Sequence, residues 1–379
     1  MLKKIGKYFG RTDCIFLLLC ISCSVLSVLS LCSISISLGD IEMRTAVVQG
    51  AAAAVGLAAA IIISNIDYRN IAQMWPFHVA FAWGLVVLTY FIGYAPAGTS
   101  NRAWIELPLG LSLQPTELAK ISFILTLALH LYTIRGHINE LPNLIKVGLH
   151  VLGPVGLILV LQKDAGTALI FLIIGAAMVF SARLSYKYII SALVLVGIGL
   201  PAVWFLDSGE KIIKSYQRGR ILALFYPDNP IYKEIMYQQK QGLISIGSGQ
   251  ILGRGFFDTN HYAVPLAHND FIFSYIAQTM GFVGAIIVLV LLFSIVIKGY
   301  ATAVRSEDEL GSYICIGVST VFLSQTIINV GMNLSVLPVI GITLPLFTAG
   351  GTSVSMLYLC IGLVLSVYIH NKKTLFDNM

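Results

Sequence analysis

Long apolar runs dominate this chain, and its polar residues collect in the short segments between them. Runs of roughly 17–27 residues recur from end to end, each long enough as a helix to cross a bilayer core of about 30 Å. Backbone donors and acceptors inside lipid need partners within their own segment, which makes such runs helical. The pattern predicts ten transmembrane helices, over roughly 13–38, 45–64, 71–93, 115–134, 147–162, 168–182, 188–205, 271–297, 310–331 and 349–369. The expected fold class is an all-α polytopic membrane protein, a single membrane domain over 1–379. A polar stretch, 206–270, separates helices seven and eight as one long loop.

Composition agrees with that reading. Of 379 residues, 57% are hydrophobic and only 11% charged, with mean hydropathy +0.85; a soluble domain carries about 25% charged residues. The net charge of +6 acts as a topology signal. With the N-terminus inside, the inner set is Lys3, Lys4, Lys7, Arg11, Arg69, Arg135, Lys146, Arg183, Lys187, Lys298, Arg305, Lys372 and Lys373. The short outer loops hold only Arg44, Arg102 and Lys163. This asymmetry puts both termini in the cytoplasm and the long loop outside. No nucleic-acid partner follows from the charge.

The basic start and first apolar run read as a retained helix, because no small-residue cleavage site follows. All six cysteines (Cys14, Cys20, Cys23, Cys32, Cys315 and Cys360) fall in expected helices, where they serve as small apolar filler. No internal repeat marks a transporter of duplicated halves. Within the long loop, 211–225 mixes basic and apolar residues as an interfacial helix would. The following stretch, 237–256, holds Gly242, Gly247, Gly249, Gly253 and Gly255. It reads either as a flexible loop or as backbone able to approach an anionic ligand closely.

Ionisable residues at the edge of lipid need partners and are functional candidates. Asp270, in His268-Asn269-Asp270-Phe271, ends the long loop and opens an apolar helix. It is either an acid at a helix N-terminus or, if burial raises its pKa, a base. Glu117 and Lys120 are three residues apart on one helical face and pair either for packing or to line a polar cavity. Thr116, after Pro115, is expected to cap that helix. Arg102 and Trp104 read as phosphate fork and interfacial anchor, or as solvated loop residues. Arg218 and Arg220 leave the same choice open, and Asp164 is a second acid at a helix start.

In order along nearly the whole chain, the motifs resemble the SEDS family of shape, elongation, division and sporulation proteins. Glu117 and Lys120 sit in QPTELAK, similar to the family's QPSE-x-x-K, and 162–167 (QKDAGT) resembles QPDLGT. Tyr216, Gln217 and Arg220 match YQ-x-x-R; Gln241 and 246–249 (IGSG) match the loop signature. His268, Asp270 and 271–273 match HTDFIF, while Asn329, 337–345 and Gly350-Gly351 match the last signature. Departures are Asn269 for Thr, Gln250 for Gly, and 347–353 against the family's SYGGS.

The resemblance implies a bacterial cytoplasmic (inner) membrane enzyme that polymerises peptidoglycan glycan strands from lipid II and releases undecaprenyl diphosphate. It leans to the elongation (RodA-like) rather than the division (FtsW-like) branch. Asp270 would be the essential catalytic carboxylate, taking the proton from the attacking sugar hydroxyl. Arg44, Arg102, Trp104, Glu117, Lys120, Asp164, Gln217, Arg218, Arg220, Gln241 and His268 would surround the substrate. The cofactor stays open between none and a divalent cation, magnesium or manganese, at the diphosphate. Implied partners are lipid II, a class B penicillin-binding protein as transpeptidase, and membrane proteins of the elongation complex. A lipid II flippase and a non-catalytic scaffold are the competing functions.

Overall fold

A computed structural model describes residue 8 and residues 10–95, 101–108, 111–206 and 215–376. Lys3, Lys4 and Lys7 of the charge argument, and residues 211–214 of the expected interfacial helix, lie outside the described residues. The helices are α1 (Cys14–Ser37), α2 (Met43–Ser64), α3 (Tyr68–Gln73), α4 (Trp75–Ile92), α5 (Pro115–Thr133), α6 (Leu141–Leu161) and α7 (Ala165–Ser181). They continue as α8 (Tyr186–Leu206), α9 (Ser215–Phe225), α10 (Lys233–Ser248), α11 (Ile272–Arg305), α12 (Glu309–Asn333) and α13 (Gly351–Phe376). A small antiparallel hairpin, β1 (Ile105–Leu107) with β2 (Leu111–Leu113), adds strand to a chain expected to be all helix.

Each expected span finds a helix, but the count of ten crossings is not reproduced by length and composition. Among the described residues eight helices are long and apolar enough to cross a bilayer. The two that fall short are α7, with 17 residues, and α5, which carries Glu117 and Lys120. The third span is divided at Met74 into α3 and α4, where Pro76 occupies the first turn of the second piece; its ring and missing N–H are incompatible with a continuous helix. The fifth begins at Leu141 rather than 147, with Pro142 in the first turn. Its early turns carry Asn143 and Lys146, polar enough to hide the helix from hydropathy.

Packing against α12 and α13 forms the centre of the bundle, where 72% of each spanning window is buried. No residue of the corresponding window of α8 is fully buried, which places that helix at the periphery of the bundle. Small residues bring α2 and α13 together: a Cβ on Gly362 would stand 2.8 Å from Ala60 Cα, and one on Gly56 3.0 Å from Tyr358. At one end of the bundle Lys298 donates to Asp13 at 2.9 Å, Arg69 to Asp308 at 3.0 Å, and Asn371 to the Arg305 carbonyl at 2.7 Å. Both ends of the described chain therefore share that end, as an even number of crossings requires.

The other end holds the long loop, and here the glycine-rich reading is corrected. Residues 237–248 are helical, as part of α10. A Cβ on Gly242 would meet the Phe271 ring at 2.9 Å, and one on Gly249 the Ala277 carbonyl at 2.0 Å. These glycines admit α11 at close range rather than cradle an anion. The chain after α10 then inserts into a break in α11. Gly281 has φ 67°, and Arg254 N and Gly255 N donate to the Gln278 and Thr279 carbonyls, each at 2.9 Å. Phe282 N donates to the Gln250 carbonyl at 2.8 Å. Backbone groups freed by the break are thus satisfied within protein, the condition for irregular chain at membrane depth.

Candidate active site

The site begins with residues 268–270, whose three consecutive carbonyls are all held. The His268 carbonyl accepts from Ala349 N at 2.8 Å and the Asn269 carbonyl from Thr348 Oγ1 at 3.2 Å. The Asp270 carbonyl accepts from Asn329 Nδ2 and Asn333 Nδ2, each at 2.9 Å. With its backbone fixed, the Asp270 side chain lies opposite Gly341, where a Cβ would stand 3.8 Å from Oδ2. Among the described residues no side-chain hydrogen bond reaches this carboxylate. It sits in a recess, partly accessible yet enclosed by protein on its other sides. Burial pushes its pKa up to about 6; the Arg220 guanidinium pulls it down and Asp164 adds to the rise.

Asp164 caps α7, accepting from Thr167 N at 2.9 Å and Thr167 Oγ1 at 2.8 Å. Burial raises its pKa, the Thr167 bonds oppose that, and the charge of Glu117 adds to it. The segment 339–342, between α12 and α13, is the floor shared by these groups. Arg220 Nη1 donates to the Val339 carbonyl at 2.7 Å, and Asn329 Nδ2 to the Ile342 carbonyl at 2.7 Å. Gly166 approaches the Ile340 carbonyl so closely that a Cβ would come within 2.6 Å. Its neighbour Gly341 takes φ 73°, a backbone conformation that glycine adopts without a Cβ clash.

Glu117 and Lys120 form an ion pair of 2.8 Å on α5, with side chains 6% and 4% exposed. Ser353 Oγ donates to Glu117 Oε2 at 3.4 Å. Thr116 does not cap this helix: Gln114 takes the N-cap position. Pro115 and Thr116 already lie inside the first turn, and Thr116 Oγ1 is buried with no hydrogen-bond partner among the described residues.

Asp270, Asp164 and Arg220 are therefore brought together in one charged recess, with the buried Glu117–Lys120 pair beyond Asp164. His268 belongs to the same segment; burial lowers its pKa, while Asp40 pulls it back up. Arg44 stands exposed on the first turn of α2, shortly after Asp40. Arg102 is exposed, and Trp104 pairs with Tyr94 in an isolated bridge beside the hairpin. Arg218 lies over the Trp204 ring at 5.6 Å and Arg220 over Tyr216 at 5.8 Å. Gln217 and Gln241 are half-buried on α9 and α10. Residues not singled out in the sequence also hold the site together: Asn333, Thr348, and Gln239, whose Nε2 donates to the Met332 and Leu337 carbonyls.

Among the described residues no three His, Cys, Asp or Glu side chains gather as ligands for a metal. An apolar cleft of about 340 Å³ opens between α1, α2 and α13, lined by residues including Val25, Ala53 and Tyr358. Asp270 is not among its lining residues.

Comparison with known proteins places this geometry. The FtsW/RodA/SpoVE family model, described as cell cycle protein, matches residues 11–373. A probable peptidoglycan glycosyltransferase FtsW of Geobacter metallireducens is 30% identical over 332 residues, covering 86% of this chain and 85% of that protein. The peptidoglycan glycosyltransferase MrdB of Escherichia coli K12 is 28% identical, with 84% of each chain covered. A solved chain described under structural coordination of polymerization and crosslinking by a peptidoglycan synthase complex has a TM-score of 0.78 at 26% identity, covering 95% of this chain and 98% of that one. The crystal structure of the Thermus thermophilus rod shape determining protein RodA has a TM-score of 0.68 at 25% identity, with 94% and 96% covered. On the match to its family model and these relatives, the chain belongs to the FtsW/RodA/SpoVE family of cell cycle proteins.

Proposed function

We propose that this chain is a peptidoglycan glycosyltransferase in which Asp270 is the general base. The observation that carries the reading is a recessed carboxyl, its pKa pushed up to about 6, facing the Arg220 guanidinium. Such an acid is ionised at neutral pH and still more basic than an ordinary carboxylate, which suits proton abstraction. In the reaction, a GlcNAc 4-hydroxyl of one lipid II attacks the MurNAc anomeric carbon of another. The O–H bond breaks to Asp270, the new glycosidic bond forms, and undecaprenyl diphosphate leaves with the bonding electrons. Arg220, beside Asp270, offsets the negative charge gathering on the diphosphate, and the buried Lys120 behind Asp164 adds positive charge to that region. A magnesium or manganese ion bound with the diphosphate would offset part of the charge that the leaving group gains.

The site end of the bundle faces outward, and both termini are in the cytoplasm of a bacterial cell whose inner membrane holds the protein. This follows from the basic residues on the opposite end. A class B penicillin-binding protein supplies cross-linking, in line with the synthase complex to which the chain is similar. Elongation, with other membrane proteins of that complex, is the role carried over from the motifs. Depletion that rounds cells supports it; depletion that produces filaments favours division.

Purified protein given labelled lipid II tests the reaction. Long glycan strands from the wild type and none from Asp270→Ala are expected. Translocation without polymer would instead indicate a flippase, and neither activity a scaffold.

A further inference from the structure

Gln49 is a buried amide, 1% exposed, in the alanine-rich helix α2. Its side chain hydrogen-bonds to α1 and to the turn at 347–350. Its Oε1 accepts from Gly350 N at 3.0 Å, and its Nε2 donates to the Thr348 carbonyl at 3.0 Å. The same Nε2 donates to Ser27 Oγ at 3.2 Å, and Ser27 Oγ donates on to the Phe347 carbonyl at 2.7 Å. On its far side the turn grips the site. Thr348 Oγ1 accepts from Leu344 N at 2.8 Å and donates to the Asn269 carbonyl at 3.2 Å, while Ala349 N donates to the His268 carbonyl at 2.8 Å. Two of the three carbonyls that fix residues 268–270 are therefore held by a turn that Gln49 itself holds.

We propose that Gln49 is a positioning residue for the transfer reaction: through the turn at 347–350 it sets where the Asp270 carboxylate stands. The inference rests on Asp270 being the base and adds the group that aims it. None of the contacts of Gln49 reaches the carboxylate, so its influence passes through the backbone. A displacement of about 1 Å at a reacting group lowers a rate about a hundredfold. The groups assigned to the diphosphate, Lys120 and Arg220, belong to α5 and α9 and do not depend on this turn. Loosening it therefore lowers kcat and spares KM.

The test is a pH series of initial polymerisation rates on purified, folded Gln49→Ala, with Thr348→Val as a second variant that cuts the same link at Asn269. The charged groups facing Asp270 are Arg220 on α9 and Asp164 before α7, with Glu117 and Lys120 beyond Asp164 and His268 alongside. All of these are unchanged in both variants. The expected result is a kcat about ten- to a hundredfold lower, KM within about twofold, and an acid limb displaced to lower pH as water reaches the carboxylate. The double variant should cost no more than the worse single one, since both break one path. A wild-type kcat defeats the proposal. So does a loss that follows the fraction of folded protein with the acid limb unmoved, or costs that multiply in the double variant. Asp270→Ala run alongside keeps the two readings apart: if it polymerises, the base assignment fails whatever Gln49 does.

Discussion

Asn333 joins the Asp270 backbone to the start of α11, donating through Nδ2 to the Asp270 carbonyl at 2.9 Å and accepting at Oδ1 from Ser274 Oγ at 2.6 Å. Ser274 N also donates to Asn333 Oδ1, at 3.0 Å. One side chain on α12 thus satisfies a carbonyl of the site segment and a free N–H in the first turn of the next helix, groups a helix start leaves without backbone partners.

Asn333→Leu removes both ends of that bridge and leaves Ser274 N buried without its acceptor. A loss of about 1–3 kcal/mol is expected, the usual cost of an unsatisfied buried group. Thermal unfolding in detergent checks it. A variant melting with the wild type would show that water replaces the amide.

The Glu117–Lys120 pair makes a different demand. With both side chains nearly inaccessible, removing one charge strands the other, at a cost of about 3–5 kcal/mol. Glu117→Gln and Lys120→Met are therefore each expected to lower the melting temperature. The double replacement should recover part of the loss, because no lone charge remains. Recovery of folding without recovery of polymerisation would separate packing from the electrostatic role given to Lys120.

What the sequence reveals about this protein follows from the cost of charge in lipid. Asp270, Asp164, Glu117 and Lys120 are legible because an acid or base beside an apolar helix needs a reason, and the structure gathers them. Residue type alone does not separate Arg220 from Arg218; the YQ-x-x-R match favours Arg220, and its contact with the Val339 carbonyl sets it in the recess. Gln49, Asn333 and Thr348 were illegible for a physical reason. Their main partners are backbone carbonyls and amides as far as about 300 residues away in the chain, and neither hydropathy nor spacing encodes such a pairing. The break in α11 escaped for a similar reason. A single glycine in a long apolar run looks like helix until another segment is seen to enter beside it.

That break yields a third expectation. Gly281 holds φ 67°, and a Cβ there would stand 2.4 Å from both Gly253 N and the Ile251 carbonyl. Gly281→Ala must therefore adopt an unfavourable backbone conformation and push the inserted chain away. About 2–4 kcal/mol of destabilisation is expected from strain and lost hydrogen bonds together. Hydrogen exchange at the Arg254 and Gly255 amides, which donate to the Gln278 and Thr279 carbonyls, would report whether the insertion has come out. Unchanged protection of these amides with a normal melting temperature would contradict the role given to this glycine.

The carboxyl of Asp270 links stability and activity through one proton. Its folded pKa, about 6, lies above the ordinary value of 3.8, so the folded protein holds the proton more tightly than the unfolded chain. The linked stability is complete below about pH 4, falls as pH rises to about 6, and is lost above that, on the order of 3 kcal/mol in all. Asp270→Asn has no such proton to lose. At pH 8 it should melt above the wild type, and the difference should shrink as pH falls through 6 towards 4. Its polymerisation should be absent at every pH, while the wild-type rate climbs through about pH 6 as the base ionises. The two curves are linked: the pH at which the wild type gains rate is the pH at which it has surrendered stability. A stability difference independent of pH would place the Asp270 proton outside this balance and remove the physical ground for treating it as the base.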